Sequence, residues 1–518
     1  MIATPEPPSL PSKLPSRLQS SGFGAAGPMG SGPMVERENP ARTDEVVGEM
    51  ASTTAAELDS TVEDAARAQR DWARRPLDER IELLRAAADA VARSANDLAP
   101  LLARELGKPR ADSAGEMGFA AAFARHVCDR VAHVIADSEI DDAAGRVLVT
   151  RPPYGVIAAI VPWNAPLILS SLKVAPAVAT GNTIVVKPSP LAPFAVTAAL
   201  AAMAAALPPG VISVVHGGPA IGRQLVSHDR VAKVAFTGGD AVGRDVLRAT
   251  AEVIRPTVME LGGNDPAIVL DDLTFSDAVM ERLVFGAFLT TGQVCMAAKR
   301  FYVPDARLGE FVERFREVAD RVLVGGDPLD PEVTVGPMVS DPQRRRVAEL
   351  VDDARRRGAV VHDLGRLLDS WDPGRGYFLA PTLVVGAAND SPIVATEQFG
   401  PTVPVVGYQR LDEAVAMAND SDLGLASSVW SDDEDRAFSV GRRVEAGTTF
   451  INCHNRAGMS LRVPFGGMKQ SGFGREFGDE GIAEYTQTHA LHAPASVRRS
   501  PAAPSPAGEG SAGRAYPF

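Results

Sequence analysis

Val231-Ala-Lys-Val-Ala-Phe236-Thr237-Gly238-Gly239-Asp-Ala-Val-Gly243 runs from an apolar stretch through glycines into the helical pattern Arg244-Asp-Val-Leu. Glycines between a strand and a helix start let backbone N–H groups close on a phosphate, and the helix dipole favours an anion there. The spacing is not G-x-G-x-x-G, and a tight turn with no ligand reads equally well. Gly217-Gly218-Pro-Ala-Ile-Gly222 is a second such turn, open to the same two readings. Val156-Ile-Ala-Ala-Ile-Val161, Thr183-Ile-Val-Val186 and Val211-Ile-Ser-Val-Val215 repeat the apolar run, each closing in a Pro- or Gly-bearing loop. Such runs predict parallel strands buried on both faces, hence an α/β fold with its chemistry in the loops at the strands' carboxyl ends.

The flanking sequence fits that class. Thr54-Ala-Ala-Glu57 reads as a capping box opening a helix through Ala73. Ile81, Leu84, Ala88 and Val91 recur at helix spacing after Pro76. A second α/β series starts near Pro266-Ala-Ile-Val-Leu270, with a helical pattern over 305–323 and strand-like 379–385, 402–407 and 448–452. Arg146-Val-Leu-Val-Thr-Arg151 alternates as an exposed hairpin arm would. Residues 1–36 and 495–518 are Pro-, Ser-, Ala- and Gly-rich and read as disordered tails, with Met29 or Met34 as alternative starts.

A chain of 518 residues exceeds one ordinary core, so two large domains are expected. With 65 acidic against 52 basic residues the formal net charge is −13, which argues against a nucleic-acid groove or an anionic membrane surface as partner. No apolar run reaches the ~18 residues of a membrane span. Cys128, Cys295 and Cys453 are too few and too odd in number for a disulfide framework, which points to a cytoplasmic location, and no metal-ligand spacing appears.

Several side chains carry possible chemistry, each beside a plainer role. Asn164 in Pro162-Trp163-Asn164 closes a strand and suits an oxyanion donor, although an Asn there commonly caps a helix. Lys187 closes the next strand and suits a ribose or phosphate, or simply water. Glu260 ends an apolar stretch, where desolvation would raise its pKa towards that of a general base; an exposed glutamate is the bland alternative. Cys295 follows Gly292-Gln293 and precedes Met296-Ala-Ala-Lys299-Arg300, which looks helical, so a depressed thiol pKa is expected, although a single cysteine usually packs as a small hydrophobe. Cys128 and Cys453 read as packing residues. In Glu397-Gln-Phe399-Gly400-Pro401 the acid suits ribose hydroxyls and the ring a nicotinamide, or the segment is a turn with an aromatic anchor.

No single motif decides, but their order does. Pro162-Trp-Asn164, Lys187-Pro-Ser189, Phe236-Thr-Gly238, Glu260-Leu-Gly-Gly-Asn264, Gly292-Gln-Val-Cys295, Glu397-Gln-Phe-Gly-Pro401 and Pro464-Phe-Gly-Gly-Met-Lys469-Gln-Ser-Gly472 together resemble the NAD(P)-dependent aldehyde dehydrogenase superfamily over about residues 37–494. The resemblance implies two Rossmann-like α/β domains plus a small β oligomerisation arm: a cofactor domain from 37–135 and 155–263, a catalytic domain from 264–466, and an arm from 136–154 and 481–494. It implies Cys295 as nucleophile, Asn164 and the Cys295 N–H as oxyanion donors, and Glu260 as the base for hydrolysis. Cofactor NAD or NADP would meet Trp163, Lys187, Gly238, Gly239, Gly243, Leu261, Glu397 and Phe399, and the chain would form a homodimer or homotetramer. Pro190 stands where the family often has an acid, which leaves NAD against NADP open; Gly239 replaces a common serine and Thr290 a common asparagine. Ala165 and Leu172 in place of aromatics, with Met117 and Met296, imply a roomy apolar pocket. No arginine is expected in it, so the resemblance favours an aliphatic or aromatic aldehyde over a charged semialdehyde. A CoA-acylating enzyme and a non-catalytic nucleotide-binding protein on the same fold are the alternatives.

Overall fold

The computed structural model describes residues 18–497. Its first large sheet has eight strands, in the order Gly472–Phe473, Thr257–Glu260, Val231–Thr237, Val156–Ile160, Thr183–Lys187, Ile212–Val214, Gly22–Gly24, Gly27–Met29. The five strands from 257–260 to 212–214 are mutually parallel, as their apolar runs require. Helices cover them: α1 (Ala55–Arg74), α2 (Leu77–Leu106), α3 (Arg110–Val134), α4 (Pro166–Ala179), α5 (Phe194–Ala204), α6 (Pro219–Ser227) and α7 (Asp240–Ala251). α1 opens on the expected capping box, with Thr54 accepting from Glu57 N and the Glu57 carboxylate accepting from Thr54 N at 2.8 Å. Strand 156–160 lies between 231–237 and 183–187, so the connections leave in opposite directions on its two sides. That switch point is where an open α/β sheet offers a crevice to a ligand.

The second large sheet has seven strands, ordered Val360–Asp363, Thr382–Val385, Thr402–Tyr408, Ala298–Pro304, Asp265–Val269, Ala426–Trp430, Thr448–Ile451. All pair in parallel except the first, and α8 (Asp277–Phe288) crosses over between 265–269 and 298–304. A separate antiparallel sheet joins His489–Pro494, Gly145–Thr150 and Ser138–Asp142, with Leu148 facing both Leu491 and Glu139. The strand that returns is thus 489–494, and Gly478–Ala483 before it is helical.

Two expectations are corrected. Residues 18–36, read as part of a disordered tail, form strands; 1–17 and 498–518 lie outside the described residues, and 495–497 make a single turn. The composition is loop-like, but Phe23 packs on the core and pairs with Val214, while Met29 packs beside Leu58 and Val62. Gly22 permits the pairing, because a Cβ there would stand 2.4 Å from the Val214 carbonyl. Residues 296–300, read as helical, run instead into strand 298–304, central in its sheet and buried throughout. Met, Ala, Lys and Arg favour a helix locally, but burying Phe301, Tyr302 and Val303 between two helical layers overrides that preference.

Candidate active site

The loops leaving the central strands converge at the switch point. Trp163, Asn164, Gly238, Gly239, Leu261, Cys295, Glu397 and Phe399 line one cleft of about 250 Å³, together with Gln343 and Arg346. Gly239 forms the N-cap of α7, and a Cβ built there meets nothing within 4 Å, so backbone donors face open space at a helix start. Gly243 lies one turn deeper, outside the lining, where a Cβ would stand 2.7 Å from Leu261 Cδ2. Phe399 meets Trp163 edge-to-face at 5.6 Å between centroids. Lys187 lies outside the lining too, at its strand's end and buried rather than solvated; burial lowers its pKa to about 8. Its ammonium has one long contact, to the Pro188 carbonyl at 3.5 Å. A buried cation so poorly matched, beside a glycine-edged cleft, fits the hydroxyls and phosphates of a dinucleotide.

Cys295 sits on the wall between this cleft and a second cavity. The approach to it is strained: Thr290, Thr291 and Gly292 have φ of 54°, 59° and 68°. Two β-branched residues in the left-handed region hold only where surrounding bonds impose it. Asp112 accepts from Thr290 N at 3.1 Å, and Thr291 Oγ1 accepts from Gly336 N at 3.0 Å. At Gly292 a Cβ would stand 2.3 Å from the Gly400 carbonyl. We expect Gly292→Ala to cost on the order of 2–4 kcal/mol by combining strain and overlap; thermal unfolding measures it, and an unchanged midpoint would refute the strain argument.

The thiol differs from expectation. No helix begins after Cys295, and burial pushes its pKa up to about 12, with Glu397, Asp265 and Glu260 adding to the rise while Lys299 opposes it. Asn164 is buried, and it does not cap α4; its Nδ2 donates to the Gln293 carbonyl at 3.1 Å, which sets the amide beside the cysteine loop. Lys108 donates to the Asn164 carbonyl at 2.5 Å and to Glu116, whose other oxygen accepts from Leu167 N at 3.1 Å. This buried pair fixes both ends of the asparagine loop.

Glu260 ends its strand fully buried, with Oε1 lacking a hydrogen-bond partner. Burial holds its pKa well above the usual carboxylate range, and the Glu476 carboxylate adds to the rise. Beside it Lys173 donates to Glu476 at 2.6 Å and to Thr237 Oγ1 at 2.7 Å. Sequence reasoning missed Lys173, Glu476, Lys108 and Glu116. One signal was available: Lys173 is a lone charge within the apolar run Pro166–Ala179. Cys128, buried in α3, and Cys453, just after strand 448–451, lie outside both cavities, as expected of packing residues.

The second cavity measures about 80 Å³. Ala165, Ile168, Leu172, Met296, Met459 and three phenylalanines, Phe119, Phe465 and Phe477, give it an apolar wall. Its open space is small where a roomy pocket was expected, and its three rings pack together, Phe477 meeting Phe119 at 5.9 Å and Phe465 at 6.2 Å between centroids. Met117 is buried in the core and does not reach it. Arg456 does line it, against the expectation of no arginine, and pairs with Asp112 at 3.3 Å. Asn455 and Arg456 sit in a short irregular turn after strand 448–451 whose position no periodic pattern marks.

A thiol and an amide donor therefore stand between an apolar pocket and a glycine-edged cleft, with a buried carboxylate nearby. Comparison with known proteins gives that arrangement its class. The family model described as Aldehyde dehydrogenase family matches residues 29–491, and the chain belongs to that family. It is similar to the geranial dehydrogenase of Castellaniella defragrans, 38% identical over 458 residues that cover 87% of this chain and 94% of the relative. It is 37% identical to a succinate-semialdehyde dehydrogenase of Paenarthrobacter nicotinovorans, covering 85% of this chain and 97% of that one. Its fold superimposes with a TM-score of 0.87 on an NAD-dependent aldehyde dehydrogenase of Sinorhizobium meliloti, at 30% identity and with 94% and 96% of the two chains covered. Among the described residues no helix is long and apolar enough to cross a membrane.

Proposed function

We propose that this enzyme oxidises an apolar, predominantly aliphatic aldehyde to the carboxylic acid with NAD or NADP. One observation carries the reading: Cys295 and Asn164 share the wall between the apolar cavity and the cleft. The Cys295 thiolate adds to the aldehyde carbon, forming a C–S bond and pushing the carbonyl electrons onto oxygen. The Asn164 amide, pinned through Gln293 and Lys108, and the Cys295 N–H receive that oxyanion without reorganising. The oxyanion collapses to the thioester carbonyl as the hydride leaves the same carbon, for which the nicotinamide, when bound, would supply the acceptor. Glu260 then takes a proton from water, the hydroxyl attacks the thioester carbon, the C–S bond breaks and the acid departs. Dividing the oxidation in this way replaces one difficult barrier with two lower ones. Lys187 and Glu397 would hold the two riboses, Phe399 and Trp163 the nicotinamide, Leu261 the cleft floor, and Gly238, Gly239 and Gly243 the approach of the pyrophosphate.

The relatives' names, which also include betaine aldehyde and aminoaldehyde dehydrogenases, span apolar, anionic and cationic aldehydes, so the substrate class must rest on the cavity. Its wall is largely apolar and the charges on it are paired, Arg456 with Asp112, Lys108 with Glu116 and Glu476 with Lys173, which leaves little net attraction for a carboxylate. In a panel with both cofactors we expect the highest kcat/KM for unbranched apolar aldehydes, at least about tenfold above succinate semialdehyde, a difference of ~1.4 kcal/mol. The reverse order would overturn the substrate class.

The resemblance implies a cofactor domain (37–135 and 155–263), a catalytic domain (264–466) and an arm (136–154 and 481–494); strands 22–24, 27–29 and 472–473 extend the first sheet beyond those bounds, and the arm's returning strand is 489–494. The arm's exposed Ile140 and Leu491 support pairing between copies in a homodimer or homotetramer.

A further inference from the structure

Lys299 has no role in the chemistry above, yet it lies beneath the nucleophile. It is the second residue of strand 298–304, with only 3% of its side chain exposed. Its ammonium donates to the carbonyl of Cys295 and stands 3.5 Å from Glu397 Oε1, whose carboxylate also accepts from Gly263 N at 3.2 Å. The backbone of Lys299 is held in turn, its carbonyl accepting from Gln398 Nε2 at 3.4 Å. One buried cation therefore ties the cysteine loop to the segment that edges the cleft.

Burying an ammonium is costly unless the charge is answered, and here the answer is incomplete. Glu397 faces it from the segment before strand 402–408. Asp265 approaches from the neighbouring strand 265–269, and both its oxygens lack hydrogen-bond partners. His454, beyond Asp265 at 3.9 Å, is also buried, and nearby positive charge and burial keep it neutral. Burial pushes Asp265 up to about 7 and raises Glu397 as well, while the Lys299 charge and the Gly263 N–H act to keep Glu397 ionised. Around a sulfur that must ionise to react, the Lys299 charge therefore favours the thiolate and the Glu397 and Asp265 carboxylates oppose it.

We propose that Lys299 is a positioning residue for the nucleophile: it clamps the Cys295 carbonyl to the Glu397 segment and supplies the positive charge that favours the thiolate. The inference rests on Cys295 being the nucleophile, and its test reads the thiol rather than turnover, so the two ideas fail separately. The measurement is the rate of Cys295 alkylation by iodoacetamide against pH in the full-length protein, located by peptide mass. Lys299→Gln keeps a donor for the carbonyl and removes the charge; it should slow alkylation at neutral pH at least about tenfold, equivalent to one pH unit in the thiol. Lys299→Arg should restore most of the rate. Glu397→Gln, which removes the opposing carboxylate, should raise it. A Lys299→Gln protein that binds NADH normally and alkylates as the wild type does would overturn the proposal. So would a Glu397→Gln protein that alkylates no faster, and that arm decides the matter even where the lysine variants do not fold.

Discussion

Cys295→Ala is expected to abolish aldehyde-dependent NAD(P)H formation, lowering kcat by at least about 10⁴-fold, while the affinity for NADH stays near the wild-type value. The size follows from what is removed. Without sulfur no covalent adduct forms, and hydride would have to leave a free aldehyde or its hydrate. The selectivity follows from the geometry. The Cys295 side chain touches both cavities, but the glycine edge, the Trp163–Phe399 pair and Lys187 hold the cleft without it. The change from Cys to Ala keeps Cβ and adds no bulk, so the unfolding midpoint should move little. Stopped-flow absorbance with saturating cofactor, together with NADH fluorescence titration, checks both parts. Cys128→Ala is the control: that thiol lies buried in α3, donates only a weak contact to the Ile81 carbonyl at 3.7 Å, and should cost stability but not turnover. Turnover retained in Cys295→Ala would end the assignment of the nucleophile.

The parts of this molecule that could be read from its sequence are those whose physics is local. A strand buried on both faces must be apolar throughout, and the four runs beginning at Val156, Thr183, Val211 and Val231 announce themselves for that reason. Glycine at the end of such a run is equally local, as is the capping box at Thr54. The illegible parts are those decided between distant segments. Lys173 and Glu476 lie 303 positions apart, and neither residue marks its partner. The thiol's environment inverted for the same reason: Met296-Ala-Ala-Lys299-Arg300 has the composition of a helix, but the place it fills is the middle of a sheet. The N-terminal strands were hidden by a composition poor in apolar residues, in which Leu18, Phe23 and Met29 anchor the segment to the core. Arg456 escaped because a turn of irregular backbone carries it into the pocket.

Glu260→Gln should separate the two halves of the reaction. The amide keeps the shape of the carboxylate but cannot take a proton from water, so acylation survives and hydrolysis stalls. The expected trace is a burst of NADH close to stoichiometric with active sites, followed by a steady state lower by roughly 10²–10³-fold, the usual scale of a general base. Burial and the neighbouring Glu476 raise the pKa of Glu260, and that fixes the sign of the pH dependence. The carboxylate is the active form, so wild-type hydrolysis should climb as pH rises through that elevated value, and the climb should vanish in Glu260→Gln. Lys173 sharpens the argument. It bonds Glu476 and Thr237 rather than Glu260, so the base keeps a buried oxygen with no partner, poised for a water. A strong small nucleophile that needs no base, such as hydroxylamine, should release the stalled thioester and restore turnover. Coenzyme A added to the wild type should leave the rate of NADH formation unchanged, because in the proposed reaction the acyl group passes to water. Were the steady-state rate of Glu260→Gln equal to the wild type's, the base would lie elsewhere; were turnover of the wild type to depend on coenzyme A, the acyl group would be leaving on sulfur rather than on water.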